Sequence, residues 1–244
     1  MLICAGYWMP ARCVPSLLGH SAVSWRIGLI DSCGAFPTAS AAARFVATAQ
    51  RVARVECLAD PTGHGTRIAS IIAADTDDAE LVLAQVFTSA TPTSAAIIAA
   101  AIDWAVSENV QLLHLSLGLA ADRPILQAAV ARAMARDLLV VAAMPARGGP
   151  VFPAAYPGVI RGTGDARCQP GELSALEPGA FGGCPRHGMA EGHRGQGASI
   201  GAAEVTRALI GSGGPEPYTS VVKRLTALAR YSGPESHREA RRAL

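Results

Sequence analysis

Three residues in this sequence carry the groups needed for acyl transfer: Asp31 in IGLIDSCG, His64 in GHGTRIASIIA and Ser199 in GASIGAAEV. A serine hydroxyl is a poor nucleophile at its free pKa, so an imidazole has to take its proton. The imidazole in turn needs a buried carboxylate that holds one tautomer and stabilises the imidazolium as it forms. Each residue also has a plainer use. Serine caps helices, aspartate shapes turns, and a histidine between glycines fits a bend. The fold decides between these uses by bringing the three together or keeping them apart.

The elements that would position them follow from the apolar pattern. RIGLID, Arg26–Asp31, is a short apolar run that delivers Asp31 into a loop, which reads as a buried strand. The segment from His64 has Ile68, Ile71 and Ile72 on a helical period. LVLAQVF, LLHLSLG and LLVVAA read as further strands, separated by the helical stretches SAAIIAAAIDWAVSENV and ILQAAVARAMARD. A further helix is expected at Ser199, and another over TSVVKRLTALARY. Strand and helix in alternation predict an α/β fold with a mainly parallel central sheet and helices on both faces. Functional groups in such sheets collect at the carboxyl ends of the strands. Asp31, Ser116 with Leu117 and Gly118, and Ala142 with Ala143 all fall at or near strand ends. His64 and Ser199 fall at helix starts on the same rim.

Composition narrows the function classes. The chain has 244 residues, half of them apolar, enough for one large domain over 1–244 with an N-terminal extension over 1–25 and a C-terminal helix and tail over 211–244. The net charge is +2 and the basic residues are scattered, so no nucleic-acid footprint is expected. The apolar runs break well short of the ~18 residues of a membrane span. The N-terminus lacks the charged start and continuous apolar stretch of a secretory signal, which predicts a cytoplasmic protein. Six cysteines without a CxxC pair read as free thiols, Cys33 among them as a small hydrophobe. DTDDAE (Asp75–Glu80) lacks the spacing of a calcium loop, and Cys184, His187 and His193 lack that of a zinc site. Nothing calls for a cofactor.

IGLIDSCG, GHGTRIASIIA, LLHLSLG and GASIGAAEV, in that order, resemble the signature blocks of subtilisin-like serine peptidases. The resemblance runs from about Arg26 to Ile210, most of the chain. It implies a three-layer subtilisin-like fold and a catalytic triad in which Asp31 orients the ring, His64 is the base and Ser199 attacks the scissile carbonyl. It also implies that Ser116–Gly118 pairs with an extended peptide substrate, with Ala142 and Ala143 nearby.

The departures are as informative. The family places an asparagine side chain in the oxyanion hole, and the corresponding stretch AAMPARGG has Ala146 there. Only the Ser199 backbone N–H then remains of the expected donors, with Arg147 or a backbone amide of 146–149 as candidate substitutes. Ala203 and Glu204 stand where the family commonly has proline and histidine. A slow, selective enzyme is expected, its partner a protein or peptide bearing a leader segment. The alternative is a weak or inactive relative that escorts an extended peptide. Pro178–Gly197 is expected to be a substrate-contacting or flexible loop before the nucleophile.

Overall fold

The computed structural model describes residues 25–74, 79–88, 93–186 and 197–234. The N-terminal extension and the charged C-terminal end lie outside these residues. Their strands are β1 (Trp25–Asp31), β2 (Ala39–Ala47), β3 (Val52–Val55), β4 (Ala79–Gln85), β5 (Leu112–Leu115), β6 (Leu139–Ala143), β7 (Ile160–Gly164), β8 (Leu173–Glu177), β9 (Ala180–Gly183) and β10 (Tyr231–Ser232). The helices are α1 (His64–Ile72), α2 (Ala95–Ser107), α3 (Pro124–Met134), α4 (Gly197–Gly211) and α5 (Tyr218–Leu228).

All ten strands join one sheet in the order β10-β8-β9-β7-β6-β5-β1-β4-β2-β3. The six central strands, β7 to β2 in that order, pair in parallel, and antiparallel pairs appear only at the margins, β2 with β3 and β8 with β9. The four strands read from the sequence form the middle of this sheet. They are buried on both faces and so are continuously apolar. The marginal strands carry weaker patterns. Pro178–Gly197 is accordingly not all loop: its first part contains β9, and 187–196 lie outside the described residues.

Side-chain alternation in β1 builds both layers. Trp25, Ile27 and Leu29 face α1, α4 and α5, whereas Ile30 faces α2 and α3. Burying an aliphatic side chain of this size contributes roughly 1.5–3 kcal/mol, so the two cores hold the helices firmly to the sheet. On the face shared with α1, α4 lies almost backbone to backbone on β7. A Cβ at Gly201 would come within 2.0 Å of the Thr163 carbonyl oxygen, so only glycine permits this approach.

The chain leaves β1 towards β4 on one side and β5 towards β6 on the other. The crevice outside the carboxyl ends of β1 and β5 is therefore where the connections diverge, the usual ligand position in open α/β sheets. Asp31 ends β1, and Ser116 follows β5.

Candidate active site

Period-two alternation puts Asp31 on the α1 side of the sheet, 2% exposed. His64 is the first residue of α1, after Gly63 in a left-handed conformation (φ 67°). Gly65 lets α1 approach the loop after β1, because a Cβ there would lie 2.3 Å from the Cys33 nitrogen. The result is a hydrogen bond of 2.8 Å between His64 Nδ1 and Asp31 Oδ1. The same oxygen accepts from the Ser32 amide at 2.6 Å and the Ser32 hydroxyl at 3.2 Å.

The first three amides of α1, which no helix can satisfy internally, each find a side chain. The His64 amide donates to Thr62 Oγ1 (3.2 Å), the Gly65 amide to Ser32 Oγ (2.9 Å) and the Thr66 amide to Asp60 Oδ2 (2.8 Å). Asp60 also accepts from the Thr66 hydroxyl and the Gly63 amide. Burial opposes its charge, but these bonds outweigh it and hold the Asp60 carboxyl below the usual range. Ser32, Asp60, Thr62 and Thr66 were not singled out from the sequence. The turn-forming run Asp60-Pro61-Thr62-Gly63 was the available signal.

Burial also disfavours the His64 imidazolium, yet the hydrogen bond and charge of Asp31 prevail and raise its pKa above the ordinary value. The pair thus presents a ring with Nδ1 engaged and Nε2 left for a proton acceptor's work.

Ser199 lies in the first turn of α4 and not at its cap, since the helix already includes Gly197. α1 and α4 pack in the same layer, and both N-termini meet the carboxyl rim of the sheet. The Ser199 hydroxyl donates to the Ser116 carbonyl at 3.2 Å, and the described residues contain no hydrogen bond between Ser199 and His64. Transfer of its proton to His64 requires the hydroxyl to turn from that carbonyl. Such bonds often tighten only when substrate is bound.

The remaining candidates divide. Ser116–Gly118 lies beyond the end of β5 and is stitched by an antiparallel bridge, Leu119 to Phe152, at 2.8 and 2.9 Å. Ser116 and Leu117 are buried and Gly118 is exposed. Ala142 packs in the core against α2 and α3, and Ala143 is buried at the end of β6. Ala146 is exposed and borders a cavity of about 170 Å³ with Met144, Arg147, Thr163 and Asp165. Glu204 is buried on α4, 3.7 Å from Arg207. A larger cavity of about 390 Å³ lies by Ala74, Arg207 and Gly211, at the far ends of α1 and α4 from His64 and Ser199.

Among the described residues no group of three or more His, Cys, Asp or Glu could hold a metal, and no helix is long and apolar enough to cross a membrane. Asp75–Asp78, His187 and His193 lie outside the described residues.

A three-layer α/β sheet with an acid–imidazole pair and a serine on its carboxyl rim holds the groups that acyl transfer uses. Comparison with known proteins specifies it: residues 35–160, more than half of the chain, match the subtilase family, Peptidase_S8, and the chain belongs to that family. A thermostable alkaline protease of Halalkalibacterium halodurans (strain C-125) is 33% identical over 112 residues, covering 41% of this chain and 31% of that protein. The chain thus matches about a third of the length of this curated relative. Among solved structures, the S41 psychrophilic protease superposes with a TM-score of 0.56 at 15% identity over 86% of both chains, which shows the fold. A lanthipeptide protease gives a TM-score of 0.48 at 20% identity over 58% of this chain and 48% of that one.

Proposed function

We propose that this protein is a serine endopeptidase of narrow specificity that removes a leader or propeptide from a partner protein during its maturation. His64 takes the Ser199 proton as Ser199 attacks the scissile carbonyl, then returns it to the leaving amine, and water resolves the acyl-enzyme. Asp31 holds the ring and stabilises its charge. The observation that carries the reading is the 2.8 Å bond between His64 Nδ1 and buried Asp31, on the rim that also presents Ser199.

Restricted action is supported by Ala146. A missing oxyanion-hole side chain typically costs about 10²–10³ in rate, so the Ser199 amide and the α4 N-terminus would carry most of the developing charge. An enzyme of that kind cuts where its substrate is held long and well. The overall pattern further resembles the peptidase that trims the leader from the small subunit of quinohemoprotein amine dehydrogenase.

A fluorophosphonate probe tests the chemistry: labelling of the native protein that vanishes in Ser199→Ala supports it, and an unlabelled native protein overturns it. Incubation with proteins encoded beside its gene, with cuts mapped by mass spectrometry, tests the leader role. A second reading, an escort that binds an extended peptide along Ser116–Gly118 without cutting it, is favoured by Ala146 and by the Ser199 hydroxyl resting on Ser116. Peptide binding without cleavage or labelling would select it.

A further inference from the structure

We propose that His114 is a positioning residue that couples the Ser116 carbonyl to α4, and so fixes where the Ser199 hydroxyl rests. His114 lies in β5 on the face turned to α4, because Leu113 and Leu115 occupy the opposite core. It is 0% exposed, at a place where an aliphatic side chain would pack. A buried polar group is costly unless bonded, and this ring is bonded at both ends. Nδ1 lies 2.8 Å from Thr206 Oγ1, and Nε2 lies 2.8 Å from Ser116 Oγ.

Thr206, also 0% exposed, comes about two helical turns after Ser199. α4 is therefore gripped twice from the same residue of the rim. Ser199 bonds to the Ser116 carbonyl directly, and Thr206 reaches the Ser116 hydroxyl through the imidazole. The circuit Ser199, Ser116, His114, Thr206 closes through the helix. A slide of α4 along the sheet would have to break one of its links.

The ring is suited to this work by being uncharged. Burial, with the nearby positive charge that His64 can carry, pulls the His114 pKa down to about 3. A neutral imidazole has one donor and one acceptor nitrogen, and hydroxyls on both sides can complete either arrangement. His114 thus spans strand and helix without adding charge beside His64.

The kinetic part of this proposal rests on the reading of Ser199 as nucleophile, so the test has two readouts. Thr206→Val and Ser116→Ala are each expected to lower the limiting rate of fluorophosphonate labelling about tenfold at unchanged half-saturation, as misplacement of a reacting group does. Because the links act as one circuit, the double variant should label no slower than either single. Thr206→Ser, which keeps the hydroxyl, should restore the rate to within about twofold. Multiplying losses, or a Thr206→Val rate within about twofold of native, would overturn the proposal.

Hydrogen exchange supplies the second readout. In Thr206→Val the amides of 117–119 and of the first turn of α4 should both exchange about tenfold faster, while those of β4 stay protected. Unchanged protection at 117–119 would also overturn the proposal. If the native protein takes no label, the peptidase reading falls and exchange alone decides the role of His114.

Discussion

The starts of α1 and α4 lie on one rim of one sheet, and the side chains of their first turns are engaged differently. Every free amide in the first turn of α1 is taken by a side chain, from Thr62, Ser32 and Asp60. In the first turn of α4 the Ser199 hydroxyl instead reaches outward to the Ser116 carbonyl. The difference assigns the two helices separate work. A fully capped terminus holds its first residue still, which suits an imidazole that must stay against Asp31. A helix N-terminus facing the rim offers its partial positive charge to an incoming anion, and on the proposed reading this matters more because Ala146 provides no second donor.

The strongest way to break the comparison is at the rigid end. Asp31→Asn keeps the size of the side chain but removes its charge and permits the wrong tautomer, so labelling should slow by about 10⁴. The pH dependence should move too. Labelling needs neutral His64 and so rises through its pKa, which Asp31 holds above the ordinary value against burial. With that charge gone burial dominates, and the midpoint of the rising limb should fall. A midpoint that stays in place would mean Asp31 does not govern His64.

The α4 end is sharpened by Ala146→Asn. If α4 has been stabilising the oxyanion nearly unaided, a correctly placed amide donor should raise the limiting labelling rate by up to about 10²–10³, with little change in probe half-saturation. No gain would mean that another group, such as Arg147, already occupies the donor's place, and Arg147→Ala would then expose it through a comparable loss.

The sequence displayed this contrast unevenly. Asp31, His64 and Ser199 were legible as candidates because each sits at the junction of an apolar run with a Gly-rich turn, and the alternation of strand and helix predicted a common rim, on which the structure joins Asp31 to His64. The marginal strands were not, since β2 is largely alanine and half-exposed and β8 to β10 are short. Nor were the supports of the site. Ser32, Asp60 and Thr62 act through side-chain bonds to amides of α1, which leave no periodic trace in the chain. His114 was hidden for the opposite reason, inside a strand whose neighbours are all apolar. Its polarity was visible in LLHLSLG, but its partner Thr206 is 92 residues away.

The mildest intervention separates holding the helix from doing the chemistry. Asp60 bonds the Thr66 amide and hydroxyl and the Gly63 amide, but not the His64 ring. Asp60→Ala should therefore cost about 1 kcal/mol of stability at neutral pH, the usual loss for a helix cap, while labelling changes by no more than a few-fold. The sign with pH follows from the lowered pKa of Asp60. A carboxyl depressed by folding contributes its stability above its unfolded pKa of about 3.9, and loses it as pH falls through the lower folded value. The gap between native and Asp60→Ala melting temperatures should thus be full at neutral pH and narrow on acidification below that point. His64 works in the other direction, because its raised pKa gives stability that is present below about 6.5 and lost as pH rises through the folded value. That loss should persist in Asp60→Ala, somewhat reduced because the Asp60 charge also supports the imidazolium, and be flattened in Asp31→Asn. If Asp60→Ala instead abolished labelling while leaving melting unchanged, the capped start of α1 would be part of the chemistry, and the division of labour between the two helices would fail.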